Sequence, residues 1–272
     1  MTAAGLYEQI RRKKSFLCIG LDADIEKIPP HLLNAASPVL EFNKRIIDAT
    51  HDLAIAYKPN LAFYEARGKD GWTDLEKTIR YLRGKDPSLF LIADAKRGDI
   101  GNTATMYAKA FFEEMDFDAI TLSPYMGKDS VTPFMAYPGK WVILLGLTSN
   151  PGAEDFQFLP VRADNRRLFE EVIRQGAGWG GPDQLMFVVG ATRSDLISDI
   201  RKIIPDHYLL VPGIGVQGGS LKEVVEAGMN SRCGLLVNAS RSILYAADDA
   251  AFDKAAREQA LALQQEMAAY LS

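Results

Sequence analysis

Cysteine, histidine and long apolar runs are all scarce in this chain of 272 residues. The two cysteines, Cys18 and Cys233, sit singly inside apolar stretches, which leaves no disulfide framework and no thiolate set for zinc. They read as buried thiols in a reducing compartment. The three histidines, His31, His51 and His207, are scattered away from the ends of strand-like runs, so neither a histidine metal site nor a Ser-His triad is supported. No apolar run approaches the ~20 residues of a membrane span, and residues 16–21, behind the basic Arg11, Arg12, Lys13 and Lys14, are too few for a signal core. The cytoplasm is the expected location. An excess of positive charge is missing too: 31 Lys plus Arg stand against 35 Asp plus Glu, a net of −4. That balance argues against nucleic acid or a membrane as partner and favours a small molecule.

What is present is alternation. Eight short β-prone runs, at 16–21, 53–57, 89–93, 119–122, 141–147, 185–189, 208–211 and 235–237, are each followed by Gly, Pro or Asp and then a longer amphipathic stretch. Helical patterns fall at 39–49, 75–83, 103–115 and 165–175, with an alanine-rich last helix at 250–270. Length alone allows two domains, since ~150 residues per domain is the usual prior, but barrels of about 250 residues fold as one unit. Continuous apolar runs suit strands buried on both faces. Eight such units match a closed (β/α)8 barrel, with an open doubly wound sheet as the alternative.

Polar residues decide between the two. They gather at or just after the strand ends: Asp22, Lys58, Asp94 with Lys96, Ser123, Ser149, Gln217 and Arg241. In a barrel these ends converge on one mouth; in an open sheet the outer strands could not share a site. Stretches 65–73, 149–161 and 176–183 read as long loops of unassigned role, and residues 1–272 as one domain.

The most informative segment runs Asp94-Ala95-Lys96-Arg97-Gly98-Asp99-Ile100-Gly101-Asn102-Thr103. Asp94 and Lys96 are two residues apart at the end of an apolar strand, so both point to one face. Alone, such a pair is most simply a structural ion pair. A second cation changes that reading. Pro59 cannot extend a central strand, so Lys58 is the last residue of its strand and lies at the same mouth. Lys58, Asp94, Lys96 and Asp99 then form an alternating line, in which opposite neighbours at ~4 Å attract by roughly 4 kcal/mol before desolvation. Separately, the glycines of residues 211–219 and Arg241 after the eighth strand suit a phosphate, since glycine backbone admits a ligand and loops seven and eight are the recurrent phosphate cradle of this barrel.

Asp94 to Thr103, with the Lys58 strand before it and Ser149-Asn150-Pro151-Gly152-Ala153-Glu154 and Asn238 to Arg241 after it, resembles the orotidine 5′-phosphate decarboxylase family in its longer bacterial form. The resemblance implies a homodimer of (β/α)8 barrels converting orotidine 5′-monophosphate to uridine 5′-monophosphate and CO2 without metal or organic cofactor. By residue-wise match, it implies that Asp22 and Lys58 contact the ribose hydroxyls. Lys58, Asp94 and Lys96 would be three members of the catalytic array. Asp99 would be the fourth, reaching into the neighbouring subunit's site with Thr103. Ser149 would read the pyrimidine, and Gln217, Ser240 and Arg241 would grip the phosphate.

Three other chemistries can be weighed against it. A magnesium-dependent sugar-phosphate decarboxylase with the same motif needs a further acidic ligand, and Glu65 and Asp24 look misplaced for that. A Schiff-base aldolase is opposed by Asp94, because a lysine paired with a carboxylate is a poor nucleophile. A phosphate-sensing barrel without activity has no use for costly buried charges.

Overall fold

The computed structural model describes residues 1–161, 166–214 and 219–271, with the side chains of Arg193 and Ser194 left aside. Eight strands run in chain order around a closed barrel: β1 (Leu17–Gly20), β2 (Ala56–Lys58), β3 (Phe90–Arg97), β4 (Ala119–Leu122), β5 (Trp141–Leu147), β6 (Leu185–Val189), β7 (Tyr208–Pro212) and β8 (Leu235–Ala239). Every neighbouring pair is parallel, and β8 returns to β1 through Leu17 opposite Val237 and Cys18 opposite Asn238. β1, β4 and β6 are buried along their whole length, as expected of strands covered by helices outside and side chains inside. Each of the eight apolar runs of the sequence overlaps one stave, the second only at Ala56 and Tyr57.

The helices are α1 (Ala3–Lys13), α2 (Pro38–Thr50), α3 (Leu61–Glu65), α4 (Gly68–Lys85), α5 (Gly101–Lys109), α6 (Thr132–Met135), α7 (Leu168–Ala177), α8 (Ser194–Ile203), α9 (Leu221–Gly228), α10 (Arg241–Leu244) and α11 (Phe252–Ala268). None of the described helices is long and apolar enough to cross a membrane. Helix α1 precedes the first stave and seals the end of the barrel where the strands begin. Lys13 Nζ donates to the carbonyls of His51 and Ala54 and pairs with Asp86 at 2.9 Å, and the Trp141 indole donates to the Met1 carbonyl at 2.7 Å. Inside that end, Phe90, Trp141 and Tyr208, which open β3, β5 and β7, meet edge to face at 6.1 and 6.4 Å. Large rings from alternate strands fill one level of the barrel, so ligand access is from the other end.

The stretch 65–73 is not a loop. Residues up to Glu65 belong to α3, and α4 begins at Gly68. Glycines read as turn markers serve two different purposes here. Gly68 takes a φ of +57° at the break between the helices, while Gly71 lets them cross closely: a Cβ there would lie 1.8 Å from the Tyr64 carbonyl oxygen. Gly176, expected in a loop, is likewise buried inside α7 against Leu144 and Phe187. The stretch 149–161 holds only a short turn of helix, Pro151–Asp155.

Candidate active site

Strand β2 ends at Lys58 because Pro59 offers no N–H to the ladder; the Pro59 carbonyl instead accepts the Asp94 N–H at 3.1 Å. This brings the two strand ends level. Lys58 Nζ donates to Asp94 Oδ2 at 2.6 Å and Lys96 Nζ to Asp94 Oδ1 at 2.5 Å, so one carboxylate lies between two ammonium groups. Burial pushes the Asp94 carboxyl upward, but Lys58 and Lys96 outweigh it and hold the group down at about 2. Burial lowers Lys58, while Asp94 and then Asp22 more than reverse that and leave it above its ordinary value. The lysines differ in access: 5% of the Lys58 side chain is exposed against 51% of Lys96. Of the two, Lys96 is the one open to the barrel mouth.

Lys96 reaches this position through irregular backbone. Its φ is +47°, in the left-handed region, which costs a non-glycine residue roughly 1–3 kcal/mol. The pairing of β3 with β4 shifts register between Ala93 and Arg97, so the strand bulges where Lys96 sits. Simple alternation along a strand is therefore not what aligns Lys96 with Asp94. Thr121 of β4 accepts the Lys96 N–H at 2.9 Å and donates to Asp94 Oδ1 at 3.1 Å. Thr121 was not singled out from sequence, though a lone threonine in the apolar run 119–122 is the kind of signal that could have marked it.

Asp22 follows β1 at the same mouth, and its Oδ1 is buried without a hydrogen-bond partner among the described residues. Such an oxygen is costly unless a ligand group satisfies it. Its backbone is tied from two sides: the Tyr64 hydroxyl donates to the Leu21 carbonyl at 3.0 Å, and the Tyr245 hydroxyl donates to the Asp22 carbonyl at 2.9 Å while accepting the Asp24 N–H at 2.8 Å. Neither tyrosine carries a sequence signal of this role. On the β8 side, Asn238 donates to Ser240 Oγ at 3.2 Å. Gly20 clears the space for it, since a Cβ there would sit 1.8 Å from that oxygen. Arg241 is exposed and makes no ion pair among the described residues. Ser149 is exposed beyond β5, packed against Gly190, where a Cβ would come within 2.7 Å of the serine Cβ. Loop seven is pinched at its base, with the Gly219 N–H donating to the Gly213 carbonyl at 2.9 Å. Gln217 lies outside the described residues.

Two of the sequence-derived residues stand apart from the array. Asp99 makes no ion pair among the described residues; its carboxylate accepts the Ile100 N–H at 2.8 Å. Thr103 is exposed on α5. The two acidic residues weighed as metal ligands are both engaged, Glu65 with Arg97 and Asp24 with Lys27. Among the described residues, no three His, Cys, Asp or Glu side chains converge to hold an ion.

The Orotidine 5′-phosphate decarboxylase / HUMPS family matches residues 15–256. The chain is 58% identical over 271 residues to the orotidine 5′-phosphate decarboxylase of Bacteroides fragilis (strain YCH46), covering 100% of this chain and 98% of that protein. This chain belongs to that family. Its activity is that of orotidine 5′-phosphate decarboxylase, a carboxy-lyase of pyrimidine biosynthesis, and it matches the longer bacterial form. The orotidine 5′-phosphate decarboxylase of Flavobacterium johnsoniae is also 58% identical, over 98% of this chain and 97% of that one. Among solved structures, the Leishmania donovani OMP decarboxylase superposes with a TM-score of 0.80 at 39% identity, over 97% of this chain and 99% of that chain.

Proposed function

We propose that decarboxylation of orotidine 5′-monophosphate runs on the Lys58, Asp94 and Lys96 array, completed by Asp99 of a second subunit. The observation that carries this reading is the single carboxylate held between two lysines, one buried and one open to the mouth. The bond from C6 of the pyrimidine to its carboxylate breaks, CO2 departs, and the electron pair stays on C6. No adjacent carbonyl delocalises that pair, so preorganised charge must stabilise it. Lys96 Nζ lies beside C6, stabilises the developing charge, transfers its proton there and is reprotonated from solvent. Asp94 keeps the ammonium fixed in place, and its own negative charge disfavours the bound substrate carboxylate.

Binding is divided along the mouth. The unpaired Asp22 oxygen, together with Lys58, takes the ribose hydroxyls. Ser149 reads the pyrimidine. Ser240 and Arg241, with Gln217 from loop seven, hold the phosphate, whose binding energy is used at the distant reacting carbon. The protein works as a homodimer in which Asp99 and Thr103 serve the neighbouring site. Support comes from the same segment: Ile100 and Met106 are exposed beside them, as are Tyr125 and Met126 after β4. Residues 1–272 act as one catalytic domain. The cytoplasm suits an enzyme with two free, buried thiols.

Loss of orotidine 5′-monophosphate absorbance, followed with and without chelator, tests the reading. Turnover indifferent to chelator is the expected result. Activity lost in chelator, or tight binding without turnover, contradicts it.

A further inference from the structure

The bulge in β3 spans the gap between the Ala93 and Arg97 pairings, and the peptide joining Ala95 to Lys96 lies within it. Buried peptide groups that leave a ladder need other partners. Here two side chains provide them. The Lys96 N–H donates to Thr121 Oγ1 at 2.9 Å, and the Ala95 carbonyl accepts from Arg97 Nη1 at 3.0 Å. Both are fixed in turn. Thr121 is fully buried and spends its own proton on Asp94. The Arg97 guanidinium pairs with Glu65 at the end of α3 and lies over the rings of Tyr107 and Phe111 at 5.6 and 5.7 Å, while its backbone carbonyl accepts the Ser123 N–H at 2.8 Å.

We propose that Thr121 and Arg97 are positioning residues that clip the Ala95–Lys96 peptide and hold Lys96 in the left-handed conformation from which its ammonium meets Asp94. The inference rests on Lys96 being the proton donor, as read above. Without the clip the Ala95–Lys96 peptide is free to rotate and Lys96 leaves the left-handed region, which changes the direction of its Cα–Cβ bond and so the position of its ammonium against Asp94. Thr121 acts through the Lys96 N–H and the Asp94 carboxylate, whereas Arg97 acts only through the peptide carbonyl and the packing behind it. Arginine suits the position because two separate nitrogens of one rigid plane, Nη1 and Nη2, reach the Ala95 carbonyl and Glu65, whereas a lysine would have to serve both from a single nitrogen on a flexible stem.

The test uses the full-length enzyme with Thr121→Val, Thr121→Ser, Arg97→Met and Arg97→Lys. Valine keeps the volume and removes the hydroxyl, and serine keeps the hydroxyl. The expected result is a fall in kcat of roughly 10- to 100-fold for Thr121→Val and Arg97→Met, the order that misplacement of a reacting group by about 1 Å produces. Affinity for uridine 5′-monophosphate should stay within about threefold, because the binding residues lie elsewhere on the mouth. Thr121→Ser should recover most of kcat, and Arg97→Lys should not. Should Thr121→Val fail to fold, the Arg97 pair carries the test from the more exposed side of the same peptide. Unchanged kcat in a folded Thr121→Val or Arg97→Met enzyme, parallel losses of kcat and product affinity, or no recovery with serine overturns the proposal. If Lys96→Ala itself retains turnover, the reading of Lys96 has failed instead, and that outcome is distinguishable from a failure of the clip.

Discussion

Lys58 Nζ and Asp94 Oδ2 lie 2.6 Å apart, joining the last residue of one barrel strand to the middle of the end segment of the next. Neither side chain is more than 10% exposed, so each depends on the other to remain charged. Replacing Asp94 by Asn strands the Lys58 ammonium in a buried site, for which the usual cost is about 3–5 kcal/mol. Thermal or denaturant unfolding of Asp94→Asn should show a loss of that order, with kcat down by roughly 10²- to 10³-fold as for removal of one preorganised charge. A melting temperature within a degree of the parent enzyme would contradict the pairing.

The same pair sets a pH dependence. Asp94 is depressed to about 2 from an unfolded value near ~3.9, so its stabilising contribution is complete above the unfolded value and lost as pH falls through about 2. Lys58 is raised above its unfolded value near ~10.4, so its contribution is complete below that pH and lost only as pH rises through the folded value. The Lys58–Asp94 pair is therefore invariant across the neutral range. Carboxyl carbon shifts of Asp94 followed by NMR should stay flat from about pH 5 to 9 and move only in strong acid. A midpoint above ~4 would show that the two lysines do not control this carboxylate.

Arg241 extends from the end of β8 with no anionic partner among the described residues, which suits a group reserved for a ligand. Arg241→Ala should weaken uridine 5′-monophosphate by roughly 10- to 100-fold, the worth of a charge-assisted contact, while leaving the weak binding of uridine unchanged. Calorimetry with both ligands separates the outcomes. Equal losses for nucleotide and nucleoside would remove Arg241 from the phosphate grip.

Asp99 sits five residues beyond Asp94 yet joins neither lysine within its own chain. If it serves a neighbouring subunit, mixing Lys96→Ala and Asp99→Ala enzymes should create hybrid dimers with one site free of both substitutions and restore part of the lost activity. Native mass spectrometry verifies that hybrids form. Hybrids that form and stay inactive would show that Asp99 is not shared.

The barrel and its mouth were legible in the sequence because both rest on local rules. Apolar runs such as 141–147 can be little other than doubly covered strands, and a lysine followed by Pro59 must end one. Lys58 and Asp94 could thus be brought together before any coordinates. Lys96 was assigned correctly to the Asp94 side but for an incomplete reason, since alternation says nothing of a positive φ or of a bulge. Thr121, Tyr64 and Tyr245 escaped notice because their roles arise from contacts between elements distant in sequence. The stretch 65–73 was misread because a glycine that permits two helices to cross looks, in one dimension, like a glycine that permits a turn.

The central claim is that Lys96 delivers the proton to C6. Its most direct test is Lys96→Ala, measured for both loss of orotidine 5′-monophosphate and affinity for uridine 5′-monophosphate. Turnover should vanish while product binding survives, because the ribose and phosphate contacts proposed above involve other residues. Retained decarboxylation in the alanine enzyme would contradict the account.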